Sequence, residues 1–330
     1  MNNYPHNIKY ITNLALDAYG SSYDNTFLLF KSSQKIYHLI YSTLKKSIIS
    51  YNLNNPKKFQ KITEIKKAHD DYIDNFRYSY DSKNKRDLIL SLSSGNNNIK
   101  LWDIKNWECI FNINDIYKVG SILSACFLLD KNMDYNYIIA CNFFLYNINA
   151  IDISGNKEKN KEIENNINTN IFIDTYYDTK KSKYYIILGN NYNVCSYDFN
   201  KSTLYHKYET MKSSNHKSVI VFPDNKDNII KIFFQSKEGF ILIFNFHSGE
   251  LINKIICGND NLIGLCLWDE NYIFTGGKNK NLILVDINKG KIIKEFHEHK
   301  QWICCIKKIE HEYFGLITHG LDNKIKLWGM

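Results

Sequence analysis

Arginine and proline are nearly missing from this 330-residue chain, which holds three prolines and, among its cationic side chains, only Arg77 and Arg86 as arginines. Arginine is the side chain that grips phosphates and base edges bidentately. A formal net charge of +8 carried by dispersed lysines therefore argues against sequence-specific nucleic-acid binding. Apolar runs such as Phe240 to Phe244 end far short of a bilayer span, and Met1 to Tyr10 is polar, without the apolar stretch of a secretory signal. Neither end carries a lipidation motif. None of the eight cysteines forms a C-x-x-C pair, and most lie in apolar, strand-like stretches such as Ile263 to Leu267. There a thiol behaves as a small hydrophobe, which points to a reducing compartment, the cytoplasm or the nucleus.

Catalytic signatures are missing too. There is no G-x-S-x-G elbow, no H-E-x-x-H and no phosphate-cradling G-x-x-x-x-G-K. His297-Glu298-His299 is the tightest metal-like spacing, yet a strand there would offer only two ligands on one face. Cys304 and Cys305 would point to opposite faces. The chain reads as no enzyme, with no metal and no cofactor.

What the sequence has is aromatic side chains, 24 Tyr and 19 Phe among them, a composition that favours strands. One phrase recurs: an apolar strand, a polar turn, then a strand of alternating apolar residues ending in an aromatic and an acid or amide. Its clearest copies are Asn98 to Ile104, with Trp102-Asp103, and Asn323 to Gly329, with Trp328. Weaker copies place anchors at Tyr51, Ile151, Tyr197, Phe244 and Val285. The spacing stays in the forties to about fifty residues, the period of a four-stranded propeller blade. Trp268-Asp269 is a decoy, because it precedes the strand at Tyr272 to Thr275 instead of ending one.

On these residues the chain resembles the WD-repeat family over nearly its full length. The resemblance implies an all-β fold: one domain over residues 1–330, a seven-bladed β-propeller of four-stranded antiparallel blades. Trp328 lies too near the end for an outer strand to follow, so Asn7 to Leu16 is expected to supply it, joining first and last blades. The resemblance also implies a structural relay of His, Ser or Thr, Asp and Trp. The last blade matches it with His299, Thr318, Asp322 and Trp328. The second keeps His69 and Trp102 but has Asn96 at the turn, and the fifth has His216 with Phe244 in place of Trp. Residues 155–170, rich in Asn, Lys and Glu, read as a charged loop between the third and fourth blades.

In such propellers the loops before each first strand and the turns between second and third strands form the usual docking face. Tyr72, Leu262 and Trp302 occupy equivalent positions there, and Lys45, Lys278, Lys280 and Lys324 lie in the turns. Together they suggest an apolar patch rimmed by lysines, suited to acidic protein segments. The implied function is a non-catalytic protein–protein interaction scaffold, monomeric within an intracellular hetero-complex. The alternative is a phosphoinositide- or nucleic-acid-binding propeller acting through a basic face. For that role the nearest motif, Phe76-Arg77-Tyr78-Ser79, lacks a second arginine.

Overall fold

The computed structural model describes residues 5, 8–15, 27–55, 58–114, 121–129, 136–142, 147–154, 156–164, 170–190, 192–208, 218–258 and 260–329. They form seven four-stranded antiparallel sheets, the blades of a seven-bladed β-propeller. The chain divides into two compact units, one holding the described residues of 25–188 and 197–204, the other those of 1–24, 189–196 and 205–330.

The N-terminal strand β1 (Lys9–Ala15) belongs to the last sheet. The first unit holds three complete sheets. They are β2 (Phe27–Lys31), β3 (Tyr37–Ser42), β4 (Ile48–Asn52) and β5 (Gln60–Ile65); β6 (Asn75–Asp81), β7 (Arg86–Ser93), β8 (Asn98–Asp103) and β9 (Glu108–Ile113); and β10 (Ile122–Leu129), β11 (Asn136–Asn142), β12 (Asn147–Asp152) and β13 (Lys161–Glu164). The unit boundary runs through the fourth sheet, β14 (Asn170–Asp178), β15 (Lys183–Asn190), β16 (Val194–Asp198) and β17 (Thr203–Tyr208). The other unit holds β18 (Val219–Asp224), β19 (Ile229–Gln235), β20 (Phe240–Asn245) and β21 (Leu251–Ile256); β22 (Leu262–Leu267), β23 (Tyr272–Gly277), β24 (Leu282–Asp286) and β25 (Lys291–Phe296); and β26 (Ile303–Lys308), β27 (Leu316–Gly320) and β28 (Lys324–Gly329) with β1.

All seven anchors fall on third strands, and each sheet packs face to face on the next within its unit. Because side chains alternate along a strand, β7 serves two cores at once. Leu88, Leu90 and Leu92 face Ile122, Ala125 and Phe127 of the third sheet. Ile89 joins Phe30, Ile40 and Ile48 of the first. Strands buried on both faces are mostly apolar, and the few polar side chains they carry are small or bonded within the fold: β7 sets Ser91 and Ser93 beside Leu88, Ile89, Leu90 and Leu92. The outermost strands have one face in water, and β5 and β9 are accordingly mostly exposed.

One expectation changes. Lys161–Glu164, read as part of a loop, is the outer strand of the third sheet: Ile163 is fully buried opposite Ile148, and its charged neighbours face solvent. Of the 155–170 segment, residue 155 and residues 165–169 lie outside the described residues. The scarcity of glycine also leaves a mark. Among the described residues eleven other than glycine hold a left-handed backbone, Lys46, Asn97, Trp107 and Asn323 included, at turn positions that glycine fills without a steric penalty.

The N-terminal strand completes the last sheet. β1 pairs antiparallel with β28 from Lys9↔Gly329 to Ala15↔Lys324, and the Tyr10 ring meets Trp328 edge-on at 6.1 Å. A side chain at Gly329 would collide with Ile11 and with the Tyr313 carbonyl, so glycine is required for this approach. Deleting residues 1–15 strips β28 of its partner and opens an edge beside buried Trp328. A lowered thermal midpoint and aggregation on heating are expected, both measurable by calorimetry and light scattering. An unchanged midpoint would show that β1 contributes nothing.

Candidate interaction surfaces

In the last sheet four residues form one hydrogen-bonded chain. The Trp328 indole N–H donates to Thr318 Oγ1 at 2.9 Å, Thr318 Oγ1 meets His299 Nε2 at 2.7 Å, and His299 Nδ1 lies 3.2 Å from both Asp322 carboxylate oxygens. Because the indole N–H occupies a lone pair of Thr318 Oγ1, the threonine's own hydroxyl proton can point to Nε2, and the imidazole then carries its proton on Nδ1, toward Asp322. Asp322 also accepts from the Lys300 amide at 3.1 Å. Burial would raise the Asp322 carboxyl, yet this amide and the His299 ring hold it below its usual range.

The second sheet repeats the first half of the chain through a residue the sequence reading missed. Trp102 donates to Ser91 Oγ at 2.8 Å, and Ser91 Oγ meets His69 Nε2 at 2.7 Å. Ser91 sits eleven residues before Trp102 and Thr318 ten before Trp328, so a one-residue longer turn hid the match. Among the described residues no carboxylate completes it, and His69 Nδ1 has no partner. Burial and the Lys100 charge push His69 down to about 3, with only Asn98 acting in the other direction. In the fifth sheet Phe244 stacks on Phe234 at 5.2 Å instead; His216 lies outside the described residues.

The two loop aromatics share an arrangement. Lys278, in the β23–β24 turn, places Nζ 4.6 Å from the centre of the half-buried Trp302 ring. In the other unit, Lys46 in the β3–β4 turn places Nζ 5.7 Å from the Tyr72 ring, which is 38% exposed. The cation in this second pair is Lys46, beside Lys45 in the same turn. Its ammonium also bonds the Asp70 carbonyl and approaches the Asp71 carboxylate at 3.7 Å. Backbone bonds set the first pair: the Leu321 amide donates to the Trp302 carbonyl at 2.8 Å, and the Lys278 amide to the Asn261 carbonyl at 3.0 Å. Lys280 stands in the same β23–β24 turn as Lys278, whereas Lys324 begins β28. Leu262 offers no docking surface. At 1% exposure it packs with Ile241 and Ile283, because the strand begins at this residue and turns it into the core.

Reactive chemistry finds little footing. Burial pushes the thiols of Cys141, Cys195 and Cys257 up to about 12 and Cys266 to about 11, so they stay protonated. No group of three or more His, Cys, Asp or Glu able to hold a metal ion occurs among the described residues. His297 bonds Asn281 at 2.8 Å. No helix of the described residues is long and apolar enough to cross a membrane. Compared with known proteins, the sequence matches no family model and no curated protein.

The relay generates two predictions. Thr318→Val keeps the volume of the side chain but strands both the Trp328 N–H and His299 Nε2, at a cost of roughly 1–3 kcal/mol for each orphaned group. Urea unfolding should show the loss, and a midpoint equal to wild type would mean the chain of bonds is dispensable. The second concerns acid. Burial lowers His38 and His319 to about 4 and His69 to about 3, and lowers His299 as well. The unfolded chain therefore takes up protons near pH 6.5 that the folded chain refuses. Stability must fall as pH drops below 6.5, by roughly 4 kcal/mol per pH unit near pH 5 if three such histidines act together. Thermal midpoints between pH 7 and 4.5 should decline steeply, and a flat profile would refute the neutral histidines.

Proposed function

We propose that this chain is a WD-repeat-type propeller acting as a non-catalytic scaffold, a subunit or adaptor that binds acidic protein segments. The observation that carries the reading is the lysine over a loop aromatic, built twice from distant sequence: Lys278 on Trp302 and Lys46 on Tyr72. A lysine held against a ring shields its stem while keeping its charge at the surface. The pair then offers an incoming carboxylate a cation beside a rigid aromatic anchor, the side-chain types that dominate interface energetics. Rim lysines steer association and select partners more than they add net affinity.

The relay residues His299, Thr318, Asp322, Trp328, His69 and Trp102 are proposed as structural. Asp322 is half-buried and the others are buried, and they bond along each relay, with His69 Nδ1 left without a partner among the described residues. Enzymatic activity is not part of the proposal.

Lys278→Glu combined with Lys280→Glu tests it. The double variant should lose the proteins that wild type captures from its native source, and binding of a poly-glutamate peptide should weaken by about tenfold or more. Thermal unfolding should not change, because both lysines stand in exposed turns. Retention of every partner and of the peptide would overturn the proposal. Capture of anionic lipid or nucleic acid in place of protein would favour the basic-face alternative.

A further inference from the structure

A cleft of about 440 Å³ opens between the first and second sheets, at the ends of the strands opposite to the Tyr72 loop. Its walls come from four separate segments: the β2–β3 turn, the start of β5, the β6–β7 turn and the turn after β8. Four cationic side chains, Lys61, Lys85, Arg86 and Lys105, line it against one carboxylate, Asp87.

That carboxylate is already spent inside the fold. Asp87 accepts from the Ser33 amide at 3.0 Å, the Ser33 hydroxyl at 2.5 Å and the Tyr78 hydroxyl at 2.7 Å. Among the cations, Lys61 bonds Glu64 and Arg86 gives its Nε to Asp81 at 3.0 Å. Among the described residues Lys85 and Lys105 have no acidic partner, and Arg86 bonds none of them through its two terminal amino groups. The planar outer edge of that guanidinium is the geometry that grips a phosphate or carboxylate.

The most informative group is His38. Its side chain is 4% exposed and lines the cleft. Its Nδ1 is 3.2 Å from Ser50 Oγ and its ring stacks on Phe30 at 5.0 Å. Nε2 bonds no described residue, yet it is not among the buried polar atoms left without a partner, so it reaches the solvent of the cleft. A nearly buried imidazole thus presents one unpartnered nitrogen to a space ringed by cations. Its pKa of about 4, set by burial against the Asp87 charge, keeps it neutral, and when the Ser50 hydroxyl donates to Nδ1 the ring proton sits on Nε2, which can then donate into the cleft.

The other lining residues divide in two. Gln34, Gln60 and Asn52 add neutral amides, whereas Ile62, Ile104 and Trp107 give an apolar wall. A bare ion would leave that wall wet. A wholly apolar ligand would bury cations without compensation.

We propose that this cleft binds a small phosphate monoester. The phosphate lies between Lys85, Lys105 and the outer edge of Arg86, with a hydrogen bond from His38 Nε2, and the organic body rests on Trp107. A phosphate dianion accepts several charge-assisted bonds at once, which suits donors arriving from three sides better than a single carboxylate does. The site is independent of the loop aromatics proposed to bind protein.

Phenyl phosphate is the test ligand, with inorganic phosphate and benzoate beside it, read by titration calorimetry and by NMR of the histidine ring. Phenyl phosphate should bind saturably at millimolar concentration or tighter, more strongly than inorganic phosphate. It should also move the His38 titration upward, because a bound dianion favours the imidazolium. Lys85→Glu with Lys105→Glu should abolish binding and the His38 shift, and Lys105→Gln alone should weaken binding severalfold. Thermal unfolding of each variant, expected to match wild type, shows that it folds. Three outcomes would each overturn the proposal: no binding, benzoate binding as well as phenyl phosphate, or binding that survives the double charge reversal.

Discussion

The stacking of four-stranded sheets places a single demand on this chain: second and third strands are covered on both faces and have no polar side to spare. Leu88 to Leu92, which divides its side chains between two neighbouring cores, states that demand most plainly. At roughly 25 cal/mol for each Å² of apolar surface removed from water, these two-faced strands supply most of the stabilisation. Their polar atoms must then be satisfied within the sheet, since water does not reach them. The Thr318 and Ser91 hydroxyls meet this need by accepting from an indole and donating to an imidazole at once. The same logic keeps the buried histidines neutral, because a charge there would have no solvent to answer it.

A consequence is that the strand ends are where charge is accommodated most easily. Turns between second and third strands carry Lys46, Lys278 and Lys280, and turns at the opposite ends carry Lys85 and Lys105. Exposed turns tolerate charge at little cost, and they are where a rigid scaffold presents whatever it binds.

Much of the architecture was legible because burial leaves a periodic trace. Anchors as unlike as Trp102, Ile151 and Val285 all fall on third strands, since their position in the phrase, not their chemistry, records the repeat. The last relay was legible for a similar reason: its four residue types stand at full spacing. Where the trace is not periodic the reading faltered. One extra turn residue hid Ser91. A single apolar side chain, Ile163, among Lys161, Glu162 and Glu164 was too little to mark an outer strand whose other residues face solvent. Leu262, aligned in sequence with Tyr72 and Trp302, pairs with Gly277 as Ile303 pairs with Gly320, so it stands one residue on from the Trp302 position and takes the place of Ile303 in the core. The cleft between the first two sheets could not be read at all. Its residues come from segments spread between Ser33 and Trp107, and no local pattern joins them.

Lysine content alone says little about binding, as the contrast between the two ends of these sheets makes clear. In a chain with 42 Lys and Arg residues, cations at turns are unremarkable, and their meaning depends on what lies beside each one. Lys278 rests on an indole, so its charge is held in place and its stem is covered. Lys61 and Arg86 have acidic partners that neutralise them. Lys85 and Lys105 have neither ring nor acid among the described residues, and they flank an imidazole with one nitrogen unclaimed. Uncompensated like charges around a concavity repel one another and raise its affinity for anions. The first arrangement favours a surface that meets a chain of carboxylates, the second a pocket that waits for one concentrated negative charge.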